Sequence, residues 1–556
     1  MQSNLQMSLV LQQGDDRRRY NLPTVDEIAA IIPGTGEEDI DHNRDIVLRY
    51  KHGGLRNISH LHPLYAPLHY VLLFPNGDQG WHRYIDIVQP EGRAVRSKTV
   101  SQRCYFAFRL HPRPMESSDL FRGGRLFQQY LVDAWASIEA SELYWIRHNQ
   151  KTIRADLYDG LRDALRDIEN IDMSQMGKRV ILPASHPGST RHMFQLFQDS
   201  MAIARHCSKP DLFITMTANP SWSEIEDNLF SYEDDDDDPD YPRKRQTASD
   251  RPDIVARVFF QKIKSMLKDI KDGLFGDVQG YVFTIEFQKR GLPHIHLLIF
   301  LKQQYKIRDA DHVNLIVSAQ IPDPVAHPLL YATVTKCMMH GPCGPEFPNA
   351  PCMVNGKCSK RYPKNFCAET RLGEDGYPEY ARPDNGRTYT NPRGKIFDNR
   401  NVVPYNPYLS AKYNCHINIE VCASVKAIKY IHKYIYKGHD RATVGVGEDI
   451  DEILEHIGSC YIGPSEAFWH IAEFAMHDEM PSVYCLPVHL PDQQTIYFND
   501  EDDLEEVMDR DASQKTILTE WFTANRTIPT AKQYSYLDFP HYFVWEKKSR
   551  KWKPRS

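Results

Sequence analysis

Apolar residues recur at helical spacing from about Leu120 to Ile168, through GGRLFQQYLVDAWASIEASELYWI and ADLYDGLRDALRDI, and predict a helical N-terminal region. The period then changes. In DLFITMTAN, Phe213, Thr215 and Thr217 alternate onto one face, which predicts a strand ended by Asn219-Pro220. DIVARVFFQKIKSMLKDIKDGL returns to helical spacing and is closed by Gly273. Two more strands, VQGYVFTIEFQ and HIHLLIFL, flank the turn Lys289-Arg290-Gly291-Leu292-Pro293 as a hairpin. A further helix is expected in SVKAIKYIHKYIYKGHD, with a start signal at Ser424 and a stop signal at Gly438. There Val425, Ile428, Ile431 and Ile435 fall within an arc about 120° wide. Tyr430 and Tyr434 lie opposite, one turn apart, with Lys426, Lys433 and Lys437 on their side. The pattern predicts an α+β protein with a central antiparallel sheet.

The chain has 556 residues, so about 100–200 residues per domain allows three to five units. The boundaries read from the pattern are 1–178 (partly helical, a candidate DNA-binding region), 179–445 (the sheet domain) and 446–556 (an extension). The run from Glu233 to Asp250, EDDDDDPDYPRKRQTASD, repels itself and reads as a solvated linker. Apolar residues make up 41% and charged residues 25%, enough for a real core. Lys+Arg 67 against Asp+Glu 74 gives −7, so nucleic-acid binding has to come from local patches. No run of about 18 uncharged apolar residues is present, which argues against a membrane partner. At the N-terminus the basic cluster follows a short apolar stretch, the reverse of a signal peptide. Eleven cysteines, an odd and sparse set, point to a reducing, intracellular compartment.

Candidate chemistry starts at GLPHIHLLIFL. His294 and His296 are two apart on a strand, so both imidazoles leave the same face and can share one divalent cation. An isolated pair of this kind is usually structural. Here Glu286 precedes it across the hairpin turn, and two nitrogens plus a carboxylate suit Mg or Mn with positions left open for a substrate oxygen. Gln288 competes as the third donor, and its lack of charge puts it second. On the expected helix, two phenols bracketed by ammonium groups suit phosphate. Together the elements suggest one reaction. A metal polarises a phosphodiester, a tyrosine hydroxyl attacks phosphorus, and a covalent phosphotyrosine forms without a high-energy cofactor.

Cys337, His340 and Cys343 are spaced C-x2-H-x2-C, with Cys352 and Cys358 following, in a Gly/Pro-rich stretch (330–367) with few apolar anchors. This suggests a structural zinc, with Cys337, Cys343, Cys352 and Cys358 as the expected ligands and His340 as substitute. Lys357, Lys360, Arg361 and Lys364 nearby, and Lys289 and Arg290 in the hairpin turn, are candidate DNA contacts. The tail KKSRKWKPR reads as a solvated end, a nuclear signal or a DNA contact; Arg191 as a phosphate ligand or a partner for Asp199.

Several stretches resemble the replication-initiator (Rep, HUH endonuclease) region of Helitron transposases, also called the Helitron helicase-like domain. They are KPDLFITMTANPSWSEI, EFQKRGLPHIHLLIFL, MMHGPCG…APCMVNGKCSKRYPK, VVPYNPYLSAKYNCHINIEVCASVKAIKYIHKYIYKG and EAFWHIAEFAMHDEMPSVYCLPVHLP, with weaker likeness towards the N-terminus. The resemblance implies that His294 and His296 hold the catalytic metal and that Tyr430 and Tyr434 attack DNA. It further implies rolling-circle transposition: nicking of single-stranded DNA at transposon ends, a 5′-phosphotyrosine, strand transfer, and a nuclear location in a eukaryote. Complete Helitron proteins carry a helicase after this region. No G-x-x-x-x-G-K-[ST] occurs here, so no ATPase is expected in this polypeptide and a helicase would act in trans. A truncated copy, a partial gene and one half of a split system all fit that departure. Two rival readings are a binding-only Helitron derivative and a metal nuclease that uses water.

Overall fold

The structure, a computed structural model, describes residues 46–88, 98–113, 119–149, 153–157, 178–180, 186–231, 245–288, 291–373, 377–422, 462–499, 503–510 and 514–555. Two compact units interleave along the chain. The first comprises 1–140, 196–443 and 459–481, and the second 141–195, 444–458 and 482–556.

The first unit is built on a five-stranded sheet. Its strands are β1 (Leu212–Thr217), β2 (Val278–Phe287), β3 (Pro293–Leu301), β6 (Ile417–Val421) and β7 (His477–Met480). They lie in the order β6-β1-β3-β2-β7, with every neighbour antiparallel. Two short strands outside this sheet, β4 (Met353–Val354) and β5 (Lys357–Cys358), form a separate hairpin.

Register sorts the sheet's side chains by chemistry. One face carries Ile214, Met216, Ile285, Ile295, Leu297, Ile299, Ile417 and Ile419, and these join a single buried cluster. Helix α4 (Pro252–Lys271) contributes Val255, Phe259, Ile263, Met266 and Ile270 to that cluster, at the three- and four-residue spacing that makes one apolar stripe. Pro252 begins this helix, Lys268 and Lys271 complement its C-terminal end, and Gly273 follows at φ 102°. Helix α7 (Pro464–Ile471) adds Phe468 and Trp469, and Trp469 lies 5.7 Å from Phe260 between ring centroids. Each large apolar side chain so buried is worth roughly 1.5–3 kcal/mol over exposure, which fixes which face points inward.

The opposite face mixes apolar and polar side chains, with Phe213, Val282, Leu298 and Phe300 buried on it. It carries Thr215 and Thr217 on β1, His294 and His296 on β3, Thr284 and Glu286 on β2, Asn418 and Glu420 on β6, and His477 and Glu479 on β7. Towards the β7 edge, the C-terminal half of helix α3 (Thr190–Cys207) approaches this face. A Cβ placed on Gly280 of β2 would meet Met480 O at 2.7 Å and Cys207 Sγ at 3.0 Å, so only glycine lets strand and helix come this close.

The second unit holds a three-stranded antiparallel sheet of Ile153–Leu157, Lys178–Val180 and Thr495–Asn499. The helical stretch expected from Leu120 to Ile168 is interrupted by a strand at Ile153–Leu157, and its last part, 158–168, lies outside the described residues. Helix α2 spans Arg125–Asn149, and Ile153–Leu157 pairs as a strand. The KKSRKWKPR tail is likewise structured. Phe543–Glu546 and Lys551–Pro554 form a hairpin with Trp545 opposite Trp552, and Trp552 is buried with Phe539 and Phe543. Among the described residues, no helix is long and apolar enough to cross a membrane.

Candidate metal centre on the sheet

β3 is buried along its whole length, the condition for holding two imidazoles in fixed positions. His294 and His296 are 8% and 7% exposed, with ring centroids 4.5 Å apart at 76°. The register sets Glu286 of β2 and Thr217 of β1 on either side of His294, and Thr284 and Thr215 on either side of His296. Glu286 leans to the second histidine, its Oε2 lying 3.0 Å from His296 Nε2. Of the two competing third donors, Glu286 makes this contact. Gln288 is exposed in the turn, where its backbone N–H donates to Leu292 O. The turn forms because Gly291 sits at φ 76° and donates to Gln288 O. Lys289 and Arg290, within that turn, lie outside the described residues.

Two supporting side chains escaped the sequence reading. Thr217 Oγ1 lies 2.6 Å from His294 Nδ1, and Phe213 stacks parallel to His296 at 5.9 Å between centroids. The alternation of Phe213, Thr215 and Thr217 was the available signal, since it already placed all three on one face. The contact at Nδ1 restrains the His294 ring, as a hydrogen-bond partner does behind a metal-binding imidazole. The donor set of two imidazoles and one carboxylate fits a hard-to-borderline divalent cation with open coordination positions.

The same face continues to β7, where His477 Nε2 lies 3.3 Å from Glu479 Oε2. Asp199 of α3 is held above the usual carboxylate range by burial, then by the Glu479 charge, with His477 partly opposing. Tyr430, Tyr434, Lys426, Lys433 and Lys437 lie outside the described residues, which resume at Ile462 after Cys422.

In the Cys-rich segment, His340, Cys343, Cys352 and Cys358 bring their donor atoms within 4.8 Å of one another. Three of the four expected donors thus gather with His340, the expected substitute. Cys337 is the last residue of helix α5 (Pro328–Cys337), beside buried Cys415, and does not join the group. Its carbonyl oxygen meets His416 Nδ1 at 2.9 Å, and the chain runs three residues further before His340 supplies a donor. Of the nearby cations, Lys357, Lys360 and Arg361 are exposed, whereas Lys364 is half-buried, with Nζ on Lys360 O and over the Tyr362 ring. Burial and the Arg382 charge hold its ammonium below the ordinary lysine value.

Residues 105–299 match the family model of the Helitron helicase-like domain at the N-terminus. The match runs from helix α1 (Gln102–Arg109) into β3 and takes in Thr217, Glu286, His294 and His296. This stretch of the chain is a Helitron helicase-like domain, which suggests a Helitron-related function. The cysteine group and the tyrosine segment lie beyond the matched residues. No curated protein matches the chain.

Proposed function

We propose that the chain is a metal-dependent HUH-type DNA endonuclease and strand transferase that uses tyrosine nucleophiles on single-stranded DNA. The observation that carries this reading is the sheet face where the central-strand pair His294 and His296 shares one site with Glu286. In this proposal the two imidazoles and Glu286 hold Mg or Mn. A cation held there would polarise a phosphodiester oxygen and offset the negative charge that develops on the phosphoryl oxygens. Thr217 keeps His294 oriented, and the Phe213 ring restrains His296.

Tyr430 or Tyr434 then attacks phosphorus, expelling the sugar 3′ oxygen and leaving the 5′ phosphate esterified to the phenol. Lys426, Lys433 and Lys437 pair with phosphate oxygens.

Metal-dependent nicking tests this reading. Mn-supported cleavage of a single-stranded oligonucleotide is expected to fall at least 100-fold in His294→Ala and His296→Ala. Wild-type cleavage in both variants, or cleavage unaffected by EDTA, would overturn it.

A further inference from the structure

We infer that His340, Cys343, Cys352 and Cys358 form a structural zinc site that fastens the Cys-rich insertion to the sheet, independently of the nuclease reading. The sequence builds the site in two halves. Met353-Val354 and Lys357-Cys358 pair across Asn355-Gly356, whose φ values of 50° and 75° belong to a two-residue turn of the primed type. That turn folds the hairpin β4–β5 so that Cys352 and Cys358 come together at its open end. The other half is the bend after α5. Gly341, at φ 124°, leaves room for the Phe397 ring at 3.1 Å from a would-be Cβ and carries the chain from His340 to Cys343.

The four donors then converge within 4.8 Å, and Cys358 Sγ lies 3.3 Å from His340 Nε2. Ser359 N–H donates to Cys352 O at 2.7 Å and Arg361 N–H to Cys358 O at 2.9 Å, which fixes the backbone at both cysteines. Tyr362 also stacks on His340 at 4.2 Å, fixing the ring plane. All four residues are half-buried, and the cysteines are free thiols. Apolar side chains here do not close a core: Val354 is 57% exposed and Phe347 37%. A metal would supply the cohesion that burial does not.

Three thiols and one imidazole make a closed tetrahedral set suited to zinc and leave no position for substrate. Binding releases three thiol protons to solvent, and the resulting site of net charge −1 is bordered by Lys357, Lys360 and Lys364. The anchorage leads to the sheet. His340 N–H donates to Asn401 O, His416 Nδ1 contacts Cys337 O at 2.9 Å, and Thr217 N–H donates to His416 O. Thr217 is the residue that orients His294.

Zinc content of the purified full chain tests the inference, measured by elemental analysis after dialysis against a weak chelator. One zinc per chain is expected. It should be retained in Cys337→Ser, Cys367→Ser and the His294→Ala/His296→Ala double variant, and reduced at least fivefold in His340→Ala and Cys352→Ser. Should either of those last two fail to fold, cobalt exchanged into the wild-type chain provides a second reading, with the visible spectrum of a tetrahedral thiolate-rich site expected. Absence of zinc, an octahedral cobalt spectrum, zinc lost in Cys337→Ser but kept in His340→Ala, or a Cys343–Cys352 disulfide found by mass mapping would each overturn the assignment. Loss of zinc only in the double variant would place the metal on the sheet and overturn it too.

Discussion

Thr217 Oγ1 sits 2.6 Å from His294 Nδ1, so one hydroxyl restrains the ring of a proposed ligand. Thr217→Val keeps the shape and removes the hydroxyl. Partners of this kind typically carry 10–100-fold in metal affinity or activity. Nicking by Thr217→Val is expected to need about tenfold more Mn for half-maximal rate, with Thr217→Ser close to wild type, as a metal titration would read. Glu286 offers a second test. Glu286→Gln keeps a hydrogen-bonding group near His296 but loses the charge, and should shift the same titration to higher Mn. Gln288→Ala, an exposed turn position, should leave it within about twofold. An equal shift in both variants would remove Glu286 from the site.

At the scale of elements, much was legible because period and chemistry agree. The H-x-H strand, its hairpin partner and the Gly291 turn follow from alternation and turn residues, and so does the helix closed by Gly273. The end of helix α2 was not legible, since residues 153–157 carry an apolar pattern that serves helix or strand, and pairing with Thr495–Asn499 decides it. Nor was the choice of His340 over Cys337, because spacing records donors but not the direction in which a helix end releases the chain. Gly280 gives an element-scale prediction. A Cβ there meets Met480 O at 2.7 Å, backbone that cannot swing aside. Gly280→Ala is expected to lose about 1–3 kcal/mol by displacing β7, seen as a lower urea midpoint. An unchanged midpoint would mean the β2–β7 edge tolerates the shift.

Across the molecule, the first unit's stability leans on a few buried polar ties as well as the sheet core. Arg251 and Asp253, 2% and 0% exposed, pair through two contacts of 3.0 and 2.9 Å, and the guanidinium also lies over Phe121 and Phe230. Asp253→Asn leaves a buried charge without its counter-ion and should cost about 3–5 kcal/mol in urea unfolding. A loss below about 1 kcal/mol would show that the arginine's aromatic contacts suffice.

The proposed chemistry joins the sheet face to a tyrosine segment that follows β6 in sequence, and covalent trapping tests that junction most directly. The full chain is incubated with Mn and single-stranded oligonucleotides labelled at either end, then resolved on a denaturing protein gel. The account predicts a protein band carrying the 3′-side fragment. That band should be lost in the Tyr430→Phe/Tyr434→Phe double variant and in His296→Ala. Cleavage that leaves free 5′ phosphates and no protein-bound label would contradict the account and assign water as the nucleophile, while binding with neither cleavage nor adduct would make the chain a binding-only Helitron derivative.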